Sequence, residues 1–181
     1  MTESSAHSLQ KLPGWYPLAE YRRRLAVDGL PTPVVVNGDE ISFQLRCGNC
    51  TVLGTAHDYF EGCSHWIYLL ASNGKPIDQL RMPDVFGFLH EVEIVAPNEV
   101  SFGYFGTNDR WNLTVSESGF WSYAPAALWR RPNRFLLAKR HLAARRTKGK
   151  PWVVPETPNP SIEGTSTSGL RPLAAAPHVK R

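Results

Sequence analysis

The sequence predicts an α+β domain, on three observations. From Val34 to Tyr123 apolar and polar residues alternate between frequent turn signals. An apolar stripe at helical spacing precedes that region, and an arginine-rich segment opened by prolines follows it. Residues 1–11 carry no pattern and are expected to be disordered. Residues 12–147 are expected to form a single domain, and 148–181 a disordered tail.

The first expected element is a helix. Pro17 suits a first helical turn, and Leu18, Tyr21 and Leu25 follow at i, i+3 and i+7. Arg22, Arg23 and Arg24 lie between them as a solvated face. The run stops before Gly29, which leaves LPTP (30–33) as a connector.

An antiparallel meander of six or seven strands comes next. ISFQLRC places Ile41, Phe43, Leu45 and Cys47 on one face. SHWIYLLAS runs into Asn73-Gly74, a strong hairpin signal, and on to KPIDQLRM. HEVEIVA sets Val92 and Ile94 against Glu91 and Glu93. Val100, Phe102 and Tyr104 share a face, as do Trp111, Leu113 and Val115, and SESG leads to FWSYA. GYFGTNDRW (103–111) has the aromatic and glycine content of a binding surface, and reads more simply as a strand entering a turn.

The last element is a basic helix. Pro125 can open PAALWRR, and Pro132 can open PNRFLLAKRHLAARR, with Phe135, Ala138 and Leu142 on one side. The tail holds six prolines over residues 148–181 and a single aromatic, too little apolar surface to offset its ordering entropy. Its last part, PNPSIEGTSTSGLRPLAAAPHVKR (158–181), resembles a C-terminal sequence found on many unrelated bacterial proteins. There it looks like the translation of a dispersed repetitive DNA element. The resemblance implies a tail without function and covers none of the folded body.

Charge divides the chain. Residues 1–128 carry a net −6, residues 129–146 +7 and residues 147–181 +3. No apolar stretch approaches the roughly 20 residues that span a bilayer. The N-terminus lacks a basic region followed by an apolar run, so no signal peptide is expected. Three cysteines, an odd number, argue for a reducing, cytoplasmic setting.

CGNCTVLGTAHDYFEGCSH (47–65) is the sharpest candidate site. Gly48-Asn49 suits a type II′ turn that brings Cys47 and Cys50 together, and Cys63 and His65 share a strand face. Those four residues have the chemistry of a Cys3His zinc site, with His57 competing for the fourth position. The plainer expectation is no cofactor, a hairpin whose cysteines act as small hydrophobes. A redox C-x-x-C would be expected to open a helix. His57, Asp58, Glu61 and His65 could form a hydrolytic site only if the loop gathered them, and no nucleophile signature accompanies them. No phosphate-binding glycine loop is present.

A non-enzymatic binding protein is therefore the leading expectation. The acidic, aromatic-rich body resembles small immunity proteins that neutralise toxins, since acidic surfaces steer onto basic nucleases. The alternative is nucleic-acid binding through Arg130, Arg131, Arg134, Lys139, Arg140, Arg145 and Arg146, aided by a zinc site. No membrane partner is expected.

Overall fold

The computed structural model describes residues 1–3, 6–12, 21–60, 62–83, 87–105, 107–123 and 137–148. Every regular element among them is a strand: β1 (Thr2–Glu3), β2 (His7–Lys11), β3 (Arg22–Val27), β4 (Leu30–Asn37), β5 (Glu40–Cys47) and β6 (Cys50–Tyr59), followed by β7 (Gly62–Ala71), β8 (Pro76–Arg81), β9 (Leu89–Ala96), β10 (Glu99–Tyr104), β11 (Asp109–Tyr123) and β12 (Leu137–Lys148). The α+β expectation is thus corrected to all-β. No helix among the described residues is long and apolar enough to cross a membrane.

The strands form three antiparallel sheets, ordered β1-β5-β6-β7-β8, β12-β11-β10-β9 and β2-β3-β4. The five-stranded sheet is the middle layer. Phe43, Leu45, Val52, Ile67, Leu69 and Leu80 on one of its faces pack against Val100, Phe102, Trp111, Leu113 and Leu142 of the four-stranded sheet. Leu53, Trp66, Tyr68 and Leu70 on the other face pack against Leu25 and Val36 of the three-stranded sheet. Successive residues of a strand point to opposite faces, so the unbroken apolar run of β7 feeds both cores.

Neither terminal helix forms where the structure describes the chain. Arg22–Val27 is β3, with Leu25 opposite Leu9 and Arg23 opposite Val36. Tyr21 and Leu25 are four apart, a spacing that shares one face in a helix and in a strand alike. The competing signal was Asp28-Gly29, the dipeptide of a type I′ hairpin. Both residues have positive φ, 49° and 79°, and they join β3 to β4, so LPTP begins a strand.

Leu137–Lys148 is β12, paired with β11 from Asp109↔Lys148 to Tyr123↔Leu137. Ala138 and Leu142 are again four apart. Arg140 between them is buried, which a helix with solvated arginines would not allow. Helix preference amounts to tenths of a kcal/mol per residue, less than the roughly 2 kcal/mol of burying one leucine. Leu18 and residues 125–136 lie outside the described residues, as does the tail from 149. Residues 1–11, expected to be disordered, carry β1 and β2, with Thr2 opposite Arg46 and His7 opposite Val27.

Three turn readings also change. A bulge between Ile41 and Phe43 moves Ile41 to the opposite core from Phe43 and Leu45. SESG is a bulge within β11, between Val115 opposite Leu142 and Phe120 opposite Arg140. At Asn73-Gly74 only Gly74 has positive φ. Its N–H donates to Ala71 O at 2.8 Å, which makes a three-residue loop instead of a two-residue turn.

Buried and half-buried side chains bind backbone across the layers. Gln44 accepts from His7 N at 3.0 Å and donates to His7 O at 2.8 Å, tying β2 to β5. Asn37 N donates to the Tyr68 hydroxyl at 2.8 Å, and Thr55 Oγ1 donates to Asn37 O at 2.6 Å. On the other side Asp78 Oδ2 accepts from His141 N at 2.7 Å and Leu142 N at 2.9 Å, joining the edge strands β8 and β12. Replacing Asp78 with Ala leaves two backbone donors without that carboxylate. The expected loss is about 3 kcal/mol of unfolding free energy by urea titration. Asp78→Asn keeps an acceptor oxygen and should lose less.

Candidate functional site

Strands β5, β6 and β7 carry the candidate metal ligands, and their register separates them. Cys47 and Cys50 are paired at one end of β6, where Cys50 also opposes Ala71. Cys63 opposes Asp58 at the other end. Eight residues of strand set the two groups roughly 26 Å apart. The four expected ligands are therefore not brought together. Among the described residues no group of three or more His, Cys, Asp or Glu side chains is arranged to hold a metal ion.

The hydrolytic cluster is divided by the sheet itself. His57 opposes Ser64 and faces the three-stranded layer, with Nδ1 at 3.2 Å from Asp39 Oδ1 and its ring 5.7 Å from that of Tyr21. His65 opposes Ala56 and faces the four-stranded layer, its ring 4.9 Å from that of Tyr104. Asp58 is exposed on the side of Cys63, and Glu61 lies outside the described residues. Neighbouring cross-strand pairs point to opposite faces of the sheet, so His57 and His65 cannot converge on one substrate.

The basic segment is likewise dispersed. Arg130, Arg131 and Arg134 lie outside the described residues. On β12, Arg140 is buried, and Arg146 pairs with Asp109 at 2.7 Å. Lys139 and Arg145 are exposed and share the face of Trp121, which opposes Lys139 and is 71% exposed.

Two features group residues that the sequence alone did not bring together. The first is an aromatic end. Phe60, 106% exposed, sits at the tip of the β6–β7 hairpin beside exposed Tyr59. The contact between His65 and Tyr104 places the start of β7 beside the end of β10, so Phe105 emerges at this same end. Phe105 N donates to Phe88 O at 3.1 Å, and the Phe105 ring stacks on His90 at 4.3 Å. Phe88 and Phe105 are both nearly half exposed. The signal was present as Tyr-Phe where β6 ends: Tyr59 is its last paired residue and Phe60 lies beyond the ladder, where no core position receives an aromatic ring.

The second feature is a cleft of about 240 Å³ lined by Gly48, Asn49, Cys50, Val115, Glu117 and His141, among others. The Gly48-Asn49 turn has φ +57° at Gly48, as a type II′ turn requires. The Glu117 carboxylate lies against Gly48, and a β-carbon there would push that carboxylate aside. Opposite the β11 bulge, His141 Nδ1 is 2.8 Å from Ser116 O. A carbonyl can only accept, so Nδ1 carries the proton and Nε2 is the acceptor of the neutral ring. Thiol, carboxylate and imidazole thus surround one small opening. Burial first, and then Glu117, push the Cys50 thiol up, so it is a poor nucleophile at neutral pH.

Burial, with Asp58 next, pushes the Cys63 thiol up to about 11. The folded state therefore favours the protonated thiol. The stability this contributes is fully present below about pH 9 and falls as pH rises through about 11. Urea midpoints should decline across that window, and Cys63→Ala should decline less steeply. No protein-family model, no curated protein and no solved structure matches this chain, so the argument for function rests on these side chains.

Proposed function

We propose that this chain is a non-enzymatic protein-binding module of the immunity type, which neutralises a toxin by covering it. The observation that carries this reading is the aromatic end, above all Phe60. A fully exposed phenylalanine at a hairpin tip contributes nothing to folding, whereas aromatic anchors dominate the energetics of protein interfaces. Tyr59, Phe88 and Phe105 supply further apolar surface at that end. The net −6 of residues 1–128 favours a basic partner through electrostatic steering. Three free cysteines fit a cytoplasmic setting.

Nucleic-acid binding is the second reading. It keeps Trp121 as a stacking platform with Lys139 and Arg145 beside it. Two phosphate contacts would give a log–log salt slope of only about −2.

Affinity recovery from the native host separates the two readings. Wild-type chain is compared with Phe60→Ser/Phe105→Ser, both verified as folded by thermal melting. The expected result is a basic protein held by wild type and lost from the variant. That protein arrests growth when expressed alone and is harmless when the chain is co-expressed. A partner held equally by both chains, or one that is harmless alone, overturns the reading. Retardation of generic DNA that Lys139→Glu/Arg145→Glu abolishes would favour the second.

A further inference from the structure

The cysteine pair at the cleft supports a modification site independent of the binding role. Cys47 and Cys50 flank the two-residue turn and are directly opposed in the ladder. Opposed residues of an antiparallel pair have Cα atoms about 4.5–5.5 Å apart and side chains on one face. That spacing lies within the range a disulfide bridges. The two sulfurs differ in access. Cys47 is buried in the core between the two larger sheets, while Cys50 is partly exposed and lines the cleft. Cys63, buried on β7 at the far end of β6, is out of reach of both.

We propose that Cys47 and Cys50 form a reversible cross-strand disulfide, with Cys50 the sulfur that first attacks a small disulfide oxidant entering the cleft. With glutathione disulfide the Cys50 thiolate attacks one sulfur of the oxidant. The oxidant's S–S bond breaks, and one glutathione thiolate leaves. The Cys47 thiolate then attacks the Cys50 sulfur of the mixed disulfide and expels the second glutathione. Two electrons pass from the cysteine pair to the oxidant, and the two cysteine protons end on the two glutathione thiols. Burial and Glu117 hold both thiols protonated, so the exchange is slow at neutral pH and answers sustained oxidation. Once formed, the bond removes the free thiol from the cleft lining.

The test uses the full folded chain, incubated with glutathione disulfide at mildly alkaline pH, then alkylated, weighed intact and peptide-mapped. Free thiols should fall from three to one, with a mass loss of two hydrogens and one Cys47–Cys50 linked peptide. Cys63 should be alkylated only after unfolding. Cys47→Ser should stop at a single glutathione adduct on Cys50. Three thiols surviving in the folded wild-type chain would overturn the proposal. So would separate glutathione adducts on Cys47 and Cys50, or a link from either to Cys63. The wild-type map decides this even where a variant fails to fold.

Discussion

The fold depends on one constraint: both faces of its middle sheet are buried. Strand β7 has a packed layer on each side, so every residue from Cys63 to Leu70 is buried. A slip of one residue would exchange Ile67 and Leu69 for Trp66, Tyr68 and Leu70, placing large rings where aliphatic chains fit. The same constraint explains the bulge near Ile41, which lets β5 supply Phe43 and Leu45 to one core and Ile41 to the other. It also explains why His57 and His65 cannot cooperate. They lie in one sheet but face different layers.

Apolar packing does not by itself fix how three sheets sit on one another, because hydrophobic contact is not directional. Direction comes from a few buried polar side chains bonded to backbone on the next layer. Tyr68 and Thr55 hold the end of β4, Gln44 holds β2, and Asp78 holds β12. Burial pushes the Tyr68 hydroxyl far above its ordinary range, which keeps it neutral and able to accept from Asn37. Asp78 contributes most to closure. It lies on the edge strand beside Leu69 and reaches the two successive N–H groups opposite the β11 bulge.

The meander was legible in the sequence because period 2 is unambiguous when strands alternate over six or more residues. The shared faces of Val100, Phe102 and Tyr104, and of Trp111, Leu113 and Val115, are those of the core. The terminal strands were not legible, because Tyr21–Leu25 and Ala138–Leu142 are spaced by four. Arginine, leucine and alanine then tilt local preference towards helix, and only long-range pairing with β2, β4 and β11 overrides it. Asp28-Gly29 was the one local clue against a helix. Sequence nearness between residues 47 and 65 conceals a ten-residue strand running away from the first cysteine pair. Only Cys47 and Cys50, joined by a turn, kept the proximity that their spacing implies.

The treatment of the sheet margins has a further consequence. At β9 the outer margin of the four-stranded sheet is kinked by two register shifts and by positive φ at Glu91, and Arg110 bridges Glu91 and Glu93 across it. The opposite margin, β12, is engaged by Asp78. A flat, unguarded strand is a template on which another chain can extend the sheet into an aggregate. Here both margins of that sheet are closed to such growth, one by distortion and charge and one by a carboxylate. The molecule can therefore display sticky aromatic rings at its hairpin end without inviting fibril-like stacking through its backbone.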